Sequence, residues 1–127
     1  MITEKSRKEY LRKWKLEHAE QILAYNKKYI EKRHAHSREL RLSVLEHYST
    51  SPPECACCGE TKVHFLTIDH INGGGHKHLR TIGGNLYIWL RKNNYPLGFR
   101  VLCMNCNFAI GHYGFCPHQV SATLSFL

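Results

Sequence analysis

The first fifty residues carry a helical pattern. Residues 3–49 contain neither glycine nor proline and are rich in Glu, Lys, Arg, Leu and Ala, the residues that favour helix. We therefore predict one or two helices that cover about residues 4–34 and 37–48. The proline pair that begins at Pro52 ends the second helix, because proline cannot continue one.

Aromatic and basic residues repeat within the first predicted helix. Tyr10 and Trp14 are four residues apart, as are Tyr25 and Tyr29, so each pair shares a helix face. We expect the basic side chains between and beside them to contact DNA phosphates. These are Arg12, Lys13, Lys27, Lys28 and Arg33. The alternative is a solvated amphipathic helix whose charges only keep it soluble.

The second predicted helix carries an apolar stripe. Leu40, Val44 and Tyr48 follow one another at intervals of four residues, and Leu45 lies beside them. This spacing places them on one face, which we expect to pack against the core that carries the cysteines.

The elements after Cys55 are shorter. Apolar and β-prone runs predict strands, glycine clusters predict loops, and leucines four apart predict a helix. In chain order these are a strand over 63–68, glycine loops at 73–75 and 83–84, a helix over 86–92, a strand over 99–102, a helix over 107–112, and a tail from 114. His76 and His78 are placed in the first loop.

The net charge favours a polyanionic partner. Lys and Arg outnumber Asp and Glu by 18 to 10, which gives +8 at pH 7. Ribosome binding or acidic-membrane binding would use the same charge. The first residues are charged and show no secretory signal, and no apolar run reaches the roughly 20 residues of a membrane span. We expect a protein of the reducing cytoplasm that does not bind membranes.

Four cysteines form two pairs with metal-ligand spacing. Cys55 and Cys58 are separated by two residues, and so are Cys103 and Cys106. In a reducing compartment such pairs indicate zinc ligands before disulfides, and two pairs supply the four ligands of a structural Zn²⁺. Two further cysteines, Cys57 and Cys116, are expected to be ordinary thiols. Cys116 with His118 would fall short of a second metal site unless Cys57 joined them.

The only aspartate of the chain, Asp69, precedes His70 at the end of the first predicted strand. A carboxylate can hold Mg²⁺ or Mn²⁺, and an imidazole can take a proton from water near neutral pH. Asn107 follows the last zinc-ligand cysteine and offers a neutral oxygen to the same ion. We expect zinc binding to draw Asn107 and Asp69 together. Because residues 51–127 hold only three carboxylates, a one-metal site is favoured over a two-metal site.

Two cysteine pairs, an Asp-His between them and a terminal asparagine, in that order, resemble the HNH endonucleases, especially their phage and mobile-element branch. The resemblance covers about residues 55–118 and implies a ββα-metal fold. It also implies that His70 is the general base, that Asp69 and Asn107 bind the catalytic metal, and that the four cysteines bind the structural zinc. Gly98 stands where the family has an asparagine that braces the loop and orients the base. Asn93, Asn94 or a backbone carbonyl are the candidates to replace it.

Together these features predict an α+β protein. Residues 1–50 would form a basic helical arm for DNA binding or dimerisation. Residues 51–118 would form an HNH core stabilised by zinc, and residues 119–127 would form a tail. The resemblance also implies hydrolysis of DNA phosphodiester bonds. We expect double-stranded DNA as the partner, with double-strand cleavage requiring a homodimer or two sequential nicks. The alternatives are a non-catalytic zinc-stabilised nucleic-acid-binding module and an RNase with the same site. Further phosphate-binding candidates near the site are His78, Arg80, Arg91 and Arg100.

Overall fold

The computed structural model describes residues 3–119 as a mixed α+β protein with five α-helices and one two-stranded antiparallel sheet. The chain divides into two compact units, with the division between Arg38 and Glu39. None of the described helices combines the length and the apolar character that a membrane-spanning helix requires.

Two helices build the N-terminal part. Helix α1 spans Glu4–Glu17, and the side-chain oxygen of Thr3 caps it by accepting the backbone N–H of Ser6. Helix α2 spans Ala19–Tyr48. Residues 3–38 contain no buried side chain, so this part of the chain has no core of its own.

The interruption between these helices was predicted at the wrong place. It lies at His18, and α2 runs without a break through residues 35–36, where no glycine or proline stops it. The Trp14 carbonyl accepts the backbone N–H of His18 and also contacts its imidazole Nδ1 at 2.8 Å. This competing side-chain contact gives His18 a physical reason to leave the helical register.

The end of α2 packs as its apolar stripe predicted. Leu40, Val44 and Leu45 are buried, and Tyr48 packs against the same cluster. From this segment the guanidinium of Arg41 donates to the backbone carbonyls of Leu66 and Val63. Arg41 therefore fixes the chain where it enters the sheet.

The sheet consists of β1, Leu66–His70, and β2, Phe99–Cys103. The strands are antiparallel, with Leu66 opposite Cys103 and Asp69 opposite Arg100. Helix α5, Met104–Tyr113, follows β2 directly and packs against both strands. The first strand was predicted to begin at 63, but Val63–Phe65 forms a 3-10 turn instead.

Two helices lie between the strands. Helix α4, Leu86–Lys92, was predicted with these bounds, and the Asn85 side chain caps its first turn. Helix α3, Gly75–Ile82, was not predicted, and His76 and His78 within it were wrongly placed in a loop. Gly74 and Gly83 adopt the left-handed conformation at its two ends, so these glycines delimit a helix.

The C-terminal segment is described only as far as residue 119. Gly114 ends α5 in the left-handed conformation, and Pro117–Gln119 forms a 3-10 turn. Of the tail predicted from residue 114, residues 114–119 are described and the rest lies outside the described residues.

Candidate functional site

The four cysteines predicted to bind zinc lie together. The sulfur atoms of Cys55, Cys58, Cys103 and Cys106 are all within 4.8 Å of one another, and those of Cys58 and Cys103 are 3.7 Å apart. A tetrahedral ion with bonds of about 2.3 Å to sulfur requires ligand separations of about 3.8 Å. The cluster therefore has the composition and the spacing of a metal site such as one for Zn²⁺.

Backbone hydrogen bonds build this cluster. The N–H of Ala56 donates to the Val101 carbonyl at 2.9 Å, which attaches the first cysteine pair to β2. The N–H of Cys55 donates to the carbonyl of Glu60 at 2.9 Å and closes the turn that carries the pair. The second pair spans the junction of β2 and α5, where the Cys103 sulfur caps the helix by accepting the Cys106 N–H.

The local electrostatics of the cluster differ between its thiols. Burial raises the pKa of Cys55, but the surrounding backbone N–H groups, led by that of Cys58, outweigh it and bring the pKa to about 7. Burial and the neighbouring thiols raise the pKa of Cys106. A bound cation would offset the raised pKa of Cys106 and stabilise its thiolate.

His70 ends β1 and meets His78 of α3. Its Nε2 is 2.9 Å from Nδ1 of His78, so one ring donates a hydrogen bond to the other. Phe99 packs edge-on against the His70 ring, with centroids 4.9 Å apart, and Trp89 packs edge-on against His78 at 4.4 Å. The aromatic rings thus fix both imidazoles. The interaction was missed because His78 was assigned to a loop.

The environment keeps His70 neutral near pH 7. Burial and the neighbouring His78 lower its pKa from 6.5, while the Asp69 carboxylate opposes this shift. The other ring nitrogen, Nδ1, faces Gly75, where a β-carbon would lie only 3.1 Å away. Glycine at this position adds no side-chain atom beside Nδ1.

Asp69 has an ion-pair partner across the sheet. Its Oδ2 accepts a hydrogen bond from Nε of Arg100 at 2.8 Å, and its side chain is only 15 % exposed. Within the described residues, Oδ1 receives no hydrogen bond. The pairing follows from the register, which places Asp69 opposite Arg100. Arg100, predicted to bind phosphate, therefore contacts the carboxylate predicted to bind the metal.

Asn107 lies in the first turns of α5 and is half-buried. Within residues 3–119, it shares no hydrogen bond with Asp69 or His70. The loop after His70 is braced by a backbone carbonyl, because Gly98 accepts the Ile71 N–H at 3.0 Å. Asn93 instead donates to the Trp89 carbonyl within its own helix. Gly98 has φ +103°, a conformation that favours glycine there.

The predicted phosphate-binding residues have different surroundings. Arg91 donates to Glu39 at 3.2 Å, so its charge already has a partner. Arg80 borders an open depression of about 480 Å³ on α3 with Lys77 and Thr81. The predicted contacts in the N-terminal part are exposed, and they are Arg12, Lys13, Lys27, Lys28 and Arg33.

Comparison with protein-family models, curated proteins and solved structures gave no match. Functional interpretation therefore depends on the residues and their geometry.

Proposed function

We propose that this protein is a metal-dependent DNA endonuclease of the HNH type, with His70 as the general base of a one-metal mechanism. The observation that carries the proposal is the position of His70. It is a half-buried imidazole with a lowered pKa, bonded to His78 and adjacent to Asp69. Two antiparallel strands followed by a packed helix, with a four-cysteine cluster at their junction, are consistent with a ββα-metal core.

The proton is taken up at Nδ1 of His70. When Nε2–H of His70 donates to Nδ1 of His78, the lone pair of His70 lies on Nδ1, which is the atom beside Gly75 and accepts no hydrogen bond within the described residues. A water within hydrogen-bond reach of that atom transfers its proton there as it attacks the phosphorus. The resulting imidazolium keeps its hydrogen bond to Nδ1 of His78, which makes His78 a positioning residue.

Asp69 and Asn107 would hold the catalytic Mg²⁺ or Mn²⁺. Their donor set, a carboxylate oxygen and an amide oxygen, suits a hard cation. Within residues 3–119, Oδ1 of Asp69 accepts no hydrogen bond, while Oδ2 accepts one from Arg100. Such an ion supplies charge stabilisation to the scissile phosphate and its leaving oxygen. Arg100 restrains the carboxylate and adds positive charge next to the phosphate position.

The exposed cations of the N-terminal part would bind the DNA backbone. They lie on α1 and on the first part of α2, with no buried residue among them. Phosphate contacts of this kind add affinity without sequence preference and weaken as salt increases.

A supercoiled-plasmid assay with zinc-loaded protein, with and without Mg²⁺ or Mn²⁺, tests the proposal. We expect metal-dependent nicking or linearisation that is lost in His70→Ala and retained in His64→Ala, an exposed histidine that serves as the matched control. Equal cleavage by wild type and His70→Ala would remove His70 from the mechanism. RNA of the same sequence, run in parallel, separates DNase from RNase activity.

One observation favours a second candidate, a non-catalytic zinc-stabilised nucleic-acid-binding module. The ion pair between Asp69 and Arg100 already neutralises the carboxylate that would bind the catalytic metal. Under this alternative, the protein retards DNA in a gel but cleaves it with neither metal. Arg100→Met would not restore cleavage either, although it frees Asp69.

A further inference from the structure

A second group of metal-binding side chains lies beside the first. The ligand atoms of Cys57, Cys106, Cys116 and His118 are within 4.8 Å of one another. Nδ1 of His118 is 3.3 Å from the Cys106 sulfur and 3.3 Å from the Cys116 sulfur. These residues come from the first cysteine pair, from α5 and from the segment after it, so the fold assembles them.

The distances suit a tetrahedral zinc site. Bonds of about 2.0 Å to nitrogen and 2.3 Å to sulfur place the two ligand atoms about 3.5 Å apart. The separations from His118 are within a few tenths of an ångström of this value. Cys106 and Cys116 are buried, whereas His118 is exposed at the edge of the group. Three sulfurs and one imidazole nitrogen are a ligand set that zinc uses in structural sites.

The two groups share one residue, Cys106. Cys57 and Cys58 are adjacent in the chain, yet each belongs to a different group. Each of the six cysteines of the chain belongs to at least one of the two groups. Each group has four ligands only if Cys106 belongs to both.

We propose that the protein binds two zinc ions in one cluster, with the Cys106 thiolate bridging them. Cys55, Cys58 and Cys103 complete the first site, and Cys57, Cys116 and His118 complete the second. The second site adds no net charge. Six thiolates with two Zn²⁺ carry a net charge of −2, and four thiolates with one Zn²⁺ carry the same charge. Binding of the second ion releases the protons of Cys57 and Cys116 and involves no redox step.

The second ion would attach the segment after α5 to the first cysteine pair. Cys116 and His118 follow the end of that helix at Gly114, and Cys57 belongs to the turn before β1. This crosslink is independent of the catalytic proposal, because it involves neither His70 nor Asp69.

Zinc stoichiometry tests the inference. The full-length chain, reduced with a phosphine and equilibrated with a weak competing chelator, is measured by native mass spectrometry and by elemental analysis. We expect two zinc ions per chain in wild type and one in His118→Ala or Cys116→Ser. The matched control His112→Ala, which changes an exposed histidine of α5, should keep two. One zinc per chain in wild type would overturn the proposal, whatever the variants do.

The bridge has its own measurement. In protein loaded with two Co²⁺ ions, a shared thiolate couples the two spins antiferromagnetically and suppresses the low-temperature EPR signal per ion. We expect this suppression in wild type and a full signal per ion in His118→Ala, which holds one ion. Two bound ions with uncoupled spins would overturn the bridge. Neither measurement depends on DNA cleavage, so the nuclease proposal can fail while this one stands.

Discussion

Replacing Gly75 with alanine tests the position of the proposed base. Gly75 is the first residue of α3, and an added β-carbon would lie 3.1 Å from Nδ1 and 3.5 Å from Cε1 of His70. Ordinary contact begins near 3.4 Å, so the imidazole must move by about 0.3 Å. Phe99 and His78 pack against the ring, and such a movement would disturb its hydrogen bond to His78.

Activity and stability should change in opposite directions. A misplacement of 1 Å costs on the order of 100-fold in rate, so a shift of about 0.3 Å alone costs about fourfold. The new methyl group also occupies the side of Nδ1 from which water must approach. Together we expect a loss on the order of tenfold in single-turnover DNA cleavage. Alanine favours helix over glycine by up to about 1 kcal/mol, so the Tm should stay constant or rise.

Gly111→Ala is the matched control, because Gly111 lies near the end of α5 and its added β-carbon would contact nothing outside that helix within 4 Å among the described residues. It should gain similar stability and cleave at the wild-type rate. Imidazole ¹⁵N NMR reports the His70–His78 hydrogen bond without any cleavage assay. An unchanged rate together with unchanged His70 resonances in Gly75→Ala would refute the argument.

Three further predictions concern stability. Removing zinc with EDTA in the presence of a reductant should abolish the cooperative thermal transition, since structural zinc contributes on the order of 10–16 kcal/mol in small domains. Arg41→Met should destabilise the protein by about 2–3 kcal/mol in urea unfolding, because the bonds to the Leu66 and Val63 carbonyls are lost. Burial, together with Tyr95, raises the pKa of Tyr48 from 10.0 to about 12. The folded state therefore retains the Tyr48 proton to a higher pH than the unfolded state does. The stability that results is fully present below pH 10 and is lost as the pH rises through about 12.

Each of the three has a control. Adding Zn²⁺ back, but not Mg²⁺, should restore the thermal transition, and a transition that survives chelation would show that folding does not need the metal. Arg38→Met, at an exposed position, should leave the urea midpoint unchanged. Between pH 10 and 12, the Tm of Tyr48→Phe should fall less than the Tm of the wild type. Parallel losses in the two proteins would contradict the raised pKa.

Local patterns determined much of the fold. The leucine spacing and the Asn85 cap define α4 because both act within a single helical turn. The two-residue spacing of each cysteine pair fits one metal ion without reference to the rest of the chain. The apolar stripe that ends with Tyr48 likewise identified the part of α2 that joins the core.

The glycines at the two ends of α3 are the reason that this helix was not predicted. A glycine with positive φ occurs both in loops and at helix ends, and the chain around residues 73–84 does not distinguish the two. Because this helix was read as a loop, the contact between His78 and His70 was missed.

The tertiary structure alone decided the pairings across the core. Asp69 contacts Arg100 because the strand register, set across a long connection, places them opposite each other. A shift of the register by one residue would remove this pairing. Likewise, His118 meets Cys106 only after the segment beyond α5 turns back. The sequence by itself determined which residues are candidates for the chemistry, since residue type and local spacing are local properties. Which of these residues interact depends on how separate segments pack, and that requires the folded chain.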